Sequence, residues 1–563
     1  MARSTEQNAR KISDPLSSVR EYHRQTKHRP ERYARGPGHL DWANQPDPFR
    51  RYIGARLVEL PLASTDPKPS YSDLTVPGDV KARLLSRESL SLFLELSLGL
   101  SAWKEYQASR WALRVNPSSG NLHPTEGYVV LPPLEGVSAN PGIYHYAPHE
   151  HALEERCVLA DEVHEALTLG LPEGGFLVGL TSVHWREAWK YGARAYRYCQ
   201  HDAGHALGAL RFAAAVLGWH LRLLPDVSDG DIAQLLGVDR ASDFTEAETE
   251  FPDFLAAVGP DLPKGYLFTR ANLWPVGVGD WRWQGQANQL SPDHVDWPEI
   301  TMIEESAVKP HTALPIIRHQ PPAKVPTANR MTYSAATLIR QRRSAVAMDG
   351  QSAMPYDTFL HVLARCMPDR KQVPWDAFSF PPRISLCLFV HRVDSLPTGF
   401  YVLVRDPLRK DAMVAAWRHD FAWVPVADGD LPLYALQLGD GREAAAQISC
   451  LQAIAGDGAF SLGMVADFSR TLEEEGAWAY RRLFWEAGLI GQVLYLESEA
   501  VDLRATGIGC YFDDLMHALL GQKLDDDTWQ SLYHFTVGGP VEDDRLQTLP
   551  AYEHLGPGAN SRR

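Results

Sequence analysis

YGARAYRYCQHDAGHALGAL, residues 191–210, aligns without a gap on EGAWAYRRLFWEAGLIGQVL, residues 475–494. Gly192, Ala193, Ala195, Tyr196, Arg197, Ala203, Gly204 and Leu210 return 284 positions later as Gly476, Ala477, Ala479, Tyr480, Arg481, Ala487, Gly488 and Leu494. A second block recurs 257 positions on: Pro117, Pro124, Gly142 and Tyr144 become Pro374, Pro381, Gly399 and Tyr401. The two blocks keep their order, so the chain reads as two copies of one domain.

Outward from these blocks, both copies share a coarse grammar. Each opens on an amphipathic helix, with Leu90, Phe93 and Leu94 in the first and Phe359, Val362, Leu363 and Cys366 in the second. A loop leads to a strand, 128–131 or 384–390, and a second short strand follows at the Gly-x-Tyr position. A long helix rich in small residues comes next, 203–217 or 487–501, and its Ala and Gly positions suit close helix packing in a buried interface. Between Lys309 and Pro326 there are five prolines, each lacking a backbone donor and disfavouring helix before it. The expected division is therefore 1–305 for the N-terminal domain, 306–330 for a Pro-rich linker and 331–563 for the C-terminal domain.

With 563 residues, 45% hydrophobic and 22% charged, the chain has apolar material for two or three cores. A formal charge of -15 argues against nucleic acid as a partner, since phosphate-backbone binding needs a clustered basic face. The N-terminus MARSTEQNARKISD is polar, and no stretch approaches the roughly 18 apolar residues of a membrane span. No membrane partner is expected, and the expected location is cytoplasmic. The six cysteines are scattered, with no C-x-x-C, and read as reduced, mostly buried thiols rather than a zinc site or disulfide framework.

Two loops carry chemistry. Asn116-Pro117-Ser118-Ser119-Gly120-Asn121-Leu122-His123-Pro124-Thr125-Glu126 fixes its backbone with two prolines and offers hydroxyl, amide and backbone groups suited to hydrogen bonding a heterocycle or polyol; the alternative is a plain turn. Leu338-Ile339-Arg340-Gln341-Arg342-Arg343-Ser344 ends in an arginine pair and a hydroxyl, a good phosphate grip, with a solvated basic helix end as the alternative. His201, Asp202 and His205 have a spacing that can place two imidazoles on one metal, but the usual Glu base is missing and the repeat has Trp485 and Leu489 there. A packing or capping role is expected instead, and no metal.

PSSGNLHPTEGY (117–128), WKYGARAYRY (189–198) with DAGHALGAL (202–210), IRQRRSA (339–345) and GLIGQVLYLESEAVDLRATGIGCYFDD (488–514) together resemble the FMN-dependent nitroreductase superfamily, in particular its SagB-type and cyanobactin-oxidase-type dehydrogenases. The resemblance covers nearly the whole chain. It implies an α+β fold of two tandem nitroreductase-like domains, each a central, mainly antiparallel sheet flanked by helices, forming an intramolecular pseudo-dimer. In that family the FMN lies at the subunit interface, taking phosphate and ring contacts from one subunit and the P-S-S-x-N loop from the other. Carried over, Arg342, Arg343, Ser344, Thr506, Gly507, Ile508 and Gly509 come from the C-terminal copy, and Pro117, Ser118, Ser119 and Asn121 from the N-terminal copy.

The reciprocal set reads as dismantled. Trp375, Asp376, Ala377 and Phe378 replace the Ser-Ser-Gly-Asn of the loop, residues 71–83 hold no arginine pair, and Leu223-Leu224-Pro225 replaces the glycine turn. One FMN per chain is the expectation. Lys190-Tyr191 matches the pair that azoline dehydrogenases of this branch use as a base, and the second copy has Glu474 and Glu475 there. The implied activity is dehydrogenation of a small or peptide-borne, azoline-type heterocycle, with dioxygen reoxidising the flavin. The alternatives are a reductase of nitro groups or quinones driven by NAD(P)H, and a non-catalytic flavin-binding or scaffold protein. Arg545 is a further, weaker phosphate candidate.

Overall fold

The computed structural model describes residues 14–262, 281–313, 315, 333–426 and 431–556. Most of the expected linker, residue 314 and residues 316–330, lies outside the described residues.

The first half contains α1 (Pro15–Gln25), α2 (Arg87–Glu95), the hairpin β1 (Leu100–Tyr106) and β2 (Ser109–Arg114), then β3 (Thr125–Leu131), β4 (Gly142–Ala147), β5 (Ala152–Val158) and β6 (Phe176–Ser182). After these come α3 (His184–Tyr191), α4 (Ala195–Val216), β7 (His220–Leu223) and β8 (Phe251–Gly259). The second half runs α5 (Ala335–Gln341), α6 (Tyr356–Arg365), β9 (Ile384–Val390), β10 (Gly399–Leu403), β11 (Leu433–Leu438) and β12 (Phe460–Asp467). It ends with α7 (Phe468–Glu475), α8 (Ala479–Glu499), β13 (Arg504–Ile508), β14 (Trp529–Gly538) and β15 (Gln547–Leu549).

The six main strands of the first sheet have the order β5-β4-β3-β6-β8-β7 and those of the second β11-β10-β9-β12-β14-β13, every pairing antiparallel; short strands Arg56–Glu59 and Arg282–Trp283 add to β5, and Val424–Pro425 adds to β11. Matched strand for strand, the two orders are identical, which is the duplication written in topology. Both faces of each sheet are covered. Along β3, Val129 and Leu131 point into the large core beneath the long helices while Tyr128 and Val130 face a smaller outer cluster. Leu386, Leu388 and Val390 of β9 alternate in the same way with Cys387 and Phe389. That period-two alternation within continuous apolar runs is what a doubly covered strand requires. The large core is shared by both copies and holds residues of α4 and α8 alike.

The repeated glycines have distinct physical reasons. Gly192 and Gly476 stop α3 and α7 at φ +56° and +92°, a region that glycine enters without a Cβ penalty. Gly204 and Gly488 allow α4 and α8 to cross backbone against backbone: a Cβ on Gly204 would lie 2.8 Å from the Cα of Trp485, and one on Gly488 2.9 Å from the Cα of Gly204. Both long helices begin eight residues before their expected starts, at Ala195 and Ala479. Every residue of α4 and α8 is buried, so neither helix shows a polar face in its sequence.

Both chain ends reach the opposite copy. α1 and the segment after it bridge the two: Arg20–Glu473 at 2.9 Å, His23 Nε2–Gln530 Oε1 at 3.1 Å and Lys27–Asp514 at 3.2 Å tie them to the second, while Tyr22 Oη donates to Ala193 O at 2.7 Å and Arg197 Nε to Thr26 Oγ1 at 3.0 Å in the first. Reciprocally, β15 adds a strand to the β1–β2 hairpin of the first copy, pairing Leu549 with Trp103, and the buried Tyr552 accepts the Leu100 N–H at 2.8 Å. Among the described residues no helix is long and apolar enough to cross a membrane.

Candidate active site

A cavity of about 730 Å³ opens where β2 and its following loop meet α4, the C-terminal end of α5 and the β13 turn. The first copy contributes Pro117, Ser118, Ser119, Gly120, Asn121 and Tyr191; the second contributes Arg342, Arg343, Ser344, Gly507, Ile508 and Gly509. Residues expected from motifs 221 positions apart, Asn121 and Arg342, thus line one space. Its size falls within the roughly 300–1,000 Å³ of small-molecule and cofactor sites.

The 116–123 loop is held open by unusual backbone. Gly120, Asn121 and His123 sit at φ +61°, +61° and +55°. Ser118 Oγ accepts the His123 N–H at 2.8 Å, and Asn121 Nδ2 donates to Ala112 O at 2.9 Å. A side chain at Gly120 would collide with Lys190 and Tyr191, whose Nζ and Oη would lie 2.9 and 2.5 Å from its Cβ. Tyr191 lines the cavity; Lys190 stands just behind it against Gly120, its Nζ 5.4 Å from the centre of the Tyr191 ring. Asn116 is buried, lines the cavity, and has both amide atoms without a hydrogen-bond partner among the described residues.

On the opposite wall Arg342 Nη2 donates to the carbonyls of Arg114 and Val115, 3.3 and 3.2 Å away, so the second copy braces the base of the first copy's loop. Its Nε is buried and has no hydrogen-bond partner among the described residues. Arg343 is held by the carbonyls of Arg340, Arg342 and Ser101 at 2.7, 2.7 and 3.1 Å. Ser344 Oγ and Tyr495 Oη are 2.7 Å apart, and Tyr495 accepts the Gly507 N–H at 3.1 Å. Gly507 and Gly509 carry no side chain because Tyr533 and Tyr198 fill the space; a Cβ on Gly509 would fall 3.0 Å from Tyr198 Cδ1.

The electrostatics of the cavity oppose the chain's overall charge. Lys104, Arg114, Arg342, Arg343 and Arg504 line it against Asp202, Glu542 and Asp543. Burial and its neighbour Arg342 push the Arg343 guanidinium down to about 10, and burial, Arg343 and Arg504 lower Lys104. Cations that destabilise one another in this way form a site that an anion relieves.

Two carboxylates lie under the loop. Ser119 donates to Asp202 from N at 3.1 Å and from Oγ at 3.3 Å, while Ser118 Oγ reaches Glu187 Oε1 at 3.5 Å. Burial pushes Asp202 up to about 7, and burial together with the Asp202 charge raises Glu187 well above the usual carboxylate range. Glu187 had no motif to reveal it, and Asp202 stood out only as part of a possible metal spacing. The imidazoles of that spacing face the second copy instead: His201 Nε2 lies 3.0 Å from Leu532 O and His205 Nε2 3.2 Å from Tyr533 Oη. Arg545 does not reach the cavity wall; it is exposed and paired with Asp543 at 2.8 Å.

The mirror-image position is filled. Trp375, Ala377 and Phe378 are buried there, and Asp376 is clamped by Arg211 at 2.9 Å. Arg211 is the repeat counterpart of Tyr495, so the position that supports the open cavity on one side fastens a plug on the other.

No family model matches the chain, and no curated protein matches it in sequence. Among solved structures, a candidate nitroreductase from Anabaena variabilis matches 93% of this chain and 99% of its own, with 21% identity and a TM-score of 0.66. Two others match only part of the chain. The microcin synthetase McbBCD complex of E. coli with truncated pro-MccB17 bound covers 44% of this chain and 94% of its own at 20% identity and a TM-score of 0.26. An FMN-dependent nitroreductase from Clostridium difficile covers 36% and 86% at 10% identity and a TM-score of 0.21. The full-length likeness is one of fold, and the chain carries the α+β nitroreductase fold in two copies.

Proposed function

We propose that the chain is an FMN-dependent oxidoreductase with one composite flavin site, built between two tandem domains that act as a pseudo-dimer. The observation that carries this reading is the single cavity lined by both halves of the expected flavin constellation. The residues present fit the group: mutually repelling cations suit a phosphate, and the Asn116 amide, unpartnered among the described residues, suits a ring edge or ribityl chain together with the exposed groups of the 117–121 loop. Bound FMN would supply the two-electron chemistry.

The chain's own residues would then position and manage protons. Arg342 orients the loop through the Arg114 and Val115 carbonyls. Tyr191 and Lys190, pressed on Gly120, would take a proton from a substrate seated over the loop, with the Glu187–Asp202 pair as a proton store beneath it. A small or peptide-borne azoline is the substrate class this base machinery supports best. The reductase reading uses the same cavity with NAD(P)H as donor.

Flavin content is the direct test. Purified protein, loaded with FMN and desalted, is expected to hold one flavin per chain; two per chain, or none, would overturn the composite site. Lys190→Ala is expected to keep FMN while losing about 10²–10⁴-fold in azoline dehydrogenation, the usual worth of a general base. Anaerobic bleaching by NADPH or NADH would favour the reductase instead.

A further inference from the structure

We propose that Cys510 and Cys450 are a redox-active thiol pair in the cavity wall, with Cys510 the attacking thiol and Cys450 its resolving partner, which close to a reversible disulfide on reaction with hydrogen peroxide. The two residues are 60 positions apart in sequence, yet their sulfurs lie 2.8 Å from each other. The scattered spacing of the cysteines gives no hint of this; four of the six thiols are buried, while these two are partly exposed and Cys510 lines the cavity.

The surroundings are those of a built site. Cys510 follows β13 and Gly509, and Cys450 sits at φ +54° after the short helix Arg442–Ile448. The N-terminal arm of the other copy brings two side chains to the pair, His28 beside Cys510 and Tyr33 beside Cys450. His28 Nδ1 accepts the Ala34 N–H at 2.9 Å, which leaves Nε2 carrying the proton of the neutral ring. Arg194 faces the pair from the turn before α4 and donates to Gly509 O at 3.3 Å, its charge balanced by Asp513 at 3.1 Å; Tyr191 and Tyr198 face it from α3 and α4. Gln452 Nε2 fixes the Cys510 carbonyl at 3.0 Å. The Cys450 hydrogen bond, opposed by burial and aided by His28 and Arg194, draws the Cys510 thiol well below its ordinary range, whereas Cys450 is raised. A thiolate beside a protonated thiol is the arrangement that thiol–disulfide chemistry uses.

The chemistry balances in two steps. The Cys510 thiolate attacks one peroxide oxygen, breaking the O–O bond to give a sulfenic acid and hydroxide. Cys450 sulfur then attacks the sulfenic sulfur; the S–S bond forms, the S–O bond breaks, and the hydroxyl leaves as water with the Cys450 proton. Two thiols lose two electrons and one peroxide gains them. None of this depends on the flavin reading.

The test uses the full-length, reduced protein with reductant removed. One equivalent of hydrogen peroxide is expected to lower the thiols titratable under denaturing conditions by two of the six, with dithiothreitol restoring both. Digestion without reduction should yield one cross-linked peptide, joining Cys450 to Cys510. In Cys450→Ala, dimedone should trap a sulfenic acid at Cys510, and in Cys510→Ala the loss of thiols should vanish. Six thiols surviving peroxide, a cross-link to any other cysteine, or dimedone on Cys450 would overturn the assignment; the wild-type titration decides it even where a variant misfolds.

Discussion

Asp202 holds its proton up to near neutral pH because it is buried beneath the loop, a desolvation that the hydrogen bonds from Ser118 and Ser119 only partly offset. Unfolded, an aspartate titrates near 3.9; here the group rises to about 7. A folded pKa above the unfolded one means that its stabilising contribution is full below about pH 4 and is lost as pH rises through about 7. Asp202→Asn is therefore expected to flatten the stability profile between about pH 4 and 7, by something on the order of 4 kcal/mol across that window. Thermal melts of the flavin-free protein at pH 4.5 to 8 measure it; an unaltered slope would contradict the shift. Ser118, Asn121, Arg342 and Ser344 were readable from sequence because each sits in a contiguous motif whose residue types state their chemistry. Glu187, Asn116 and the Cys450–Cys510 contact were not, since their significance lies in what surrounds them through space.

The crossing of α4 on α8 is set by glycine and nothing larger. A methyl group at Gly204 or Gly488 meets backbone rather than a side chain that can swing away. Gly204→Ala and Gly488→Ala are each expected to cost about 1–3 kcal/mol, the usual range of overpacking effects. The double variant should cost less than the sum, because once one methyl has spread the helices the second finds room. Chemical denaturation of the three variants gives the cycle, and strict additivity would mean that the helices do not share this contact. At this scale the sequence spoke through repetition: strand order, helix order and the Gly192 and Gly476 stops all follow the two aligned blocks. The true starts of the long helices did not, because residues 195–202 and 479–486 are rich in charge and aromatic rings yet entirely enclosed by both copies and the N-terminal arm. Periodicity reports amphipathicity, and a helix buried on every side has none.

For the molecule as a whole, the ends that reach the opposite copy are the feature that sequence patterning could least announce, since a three-residue strand at 547–549 and an eleven-residue helix at 15–25 carry little signal by themselves. The C-terminal one is nonetheless part of the cavity's frame: Leu546 and Thr548 line it, and Tyr552 closes the gap beside Gly99 and Leu100. Tyr552→Ala is expected to lower stability by about 2–4 kcal/mol, as for a large buried side chain that also leaves the Leu100 N–H unpaired. Truncation before Gln547 should loosen FMN binding as well, read as a weaker dissociation constant by fluorescence; an unchanged constant would detach the tail from the site. A two-chain enzyme with its site at the subunit boundary surrenders that site on dilution, since mass action separates its halves. Here each half is tethered to the other and strapped by the other's terminus, so the local concentration of the partner is fixed by covalent geometry whatever the protein's abundance. A chain built this way can work at copy numbers far too low to sustain an equivalent dimer.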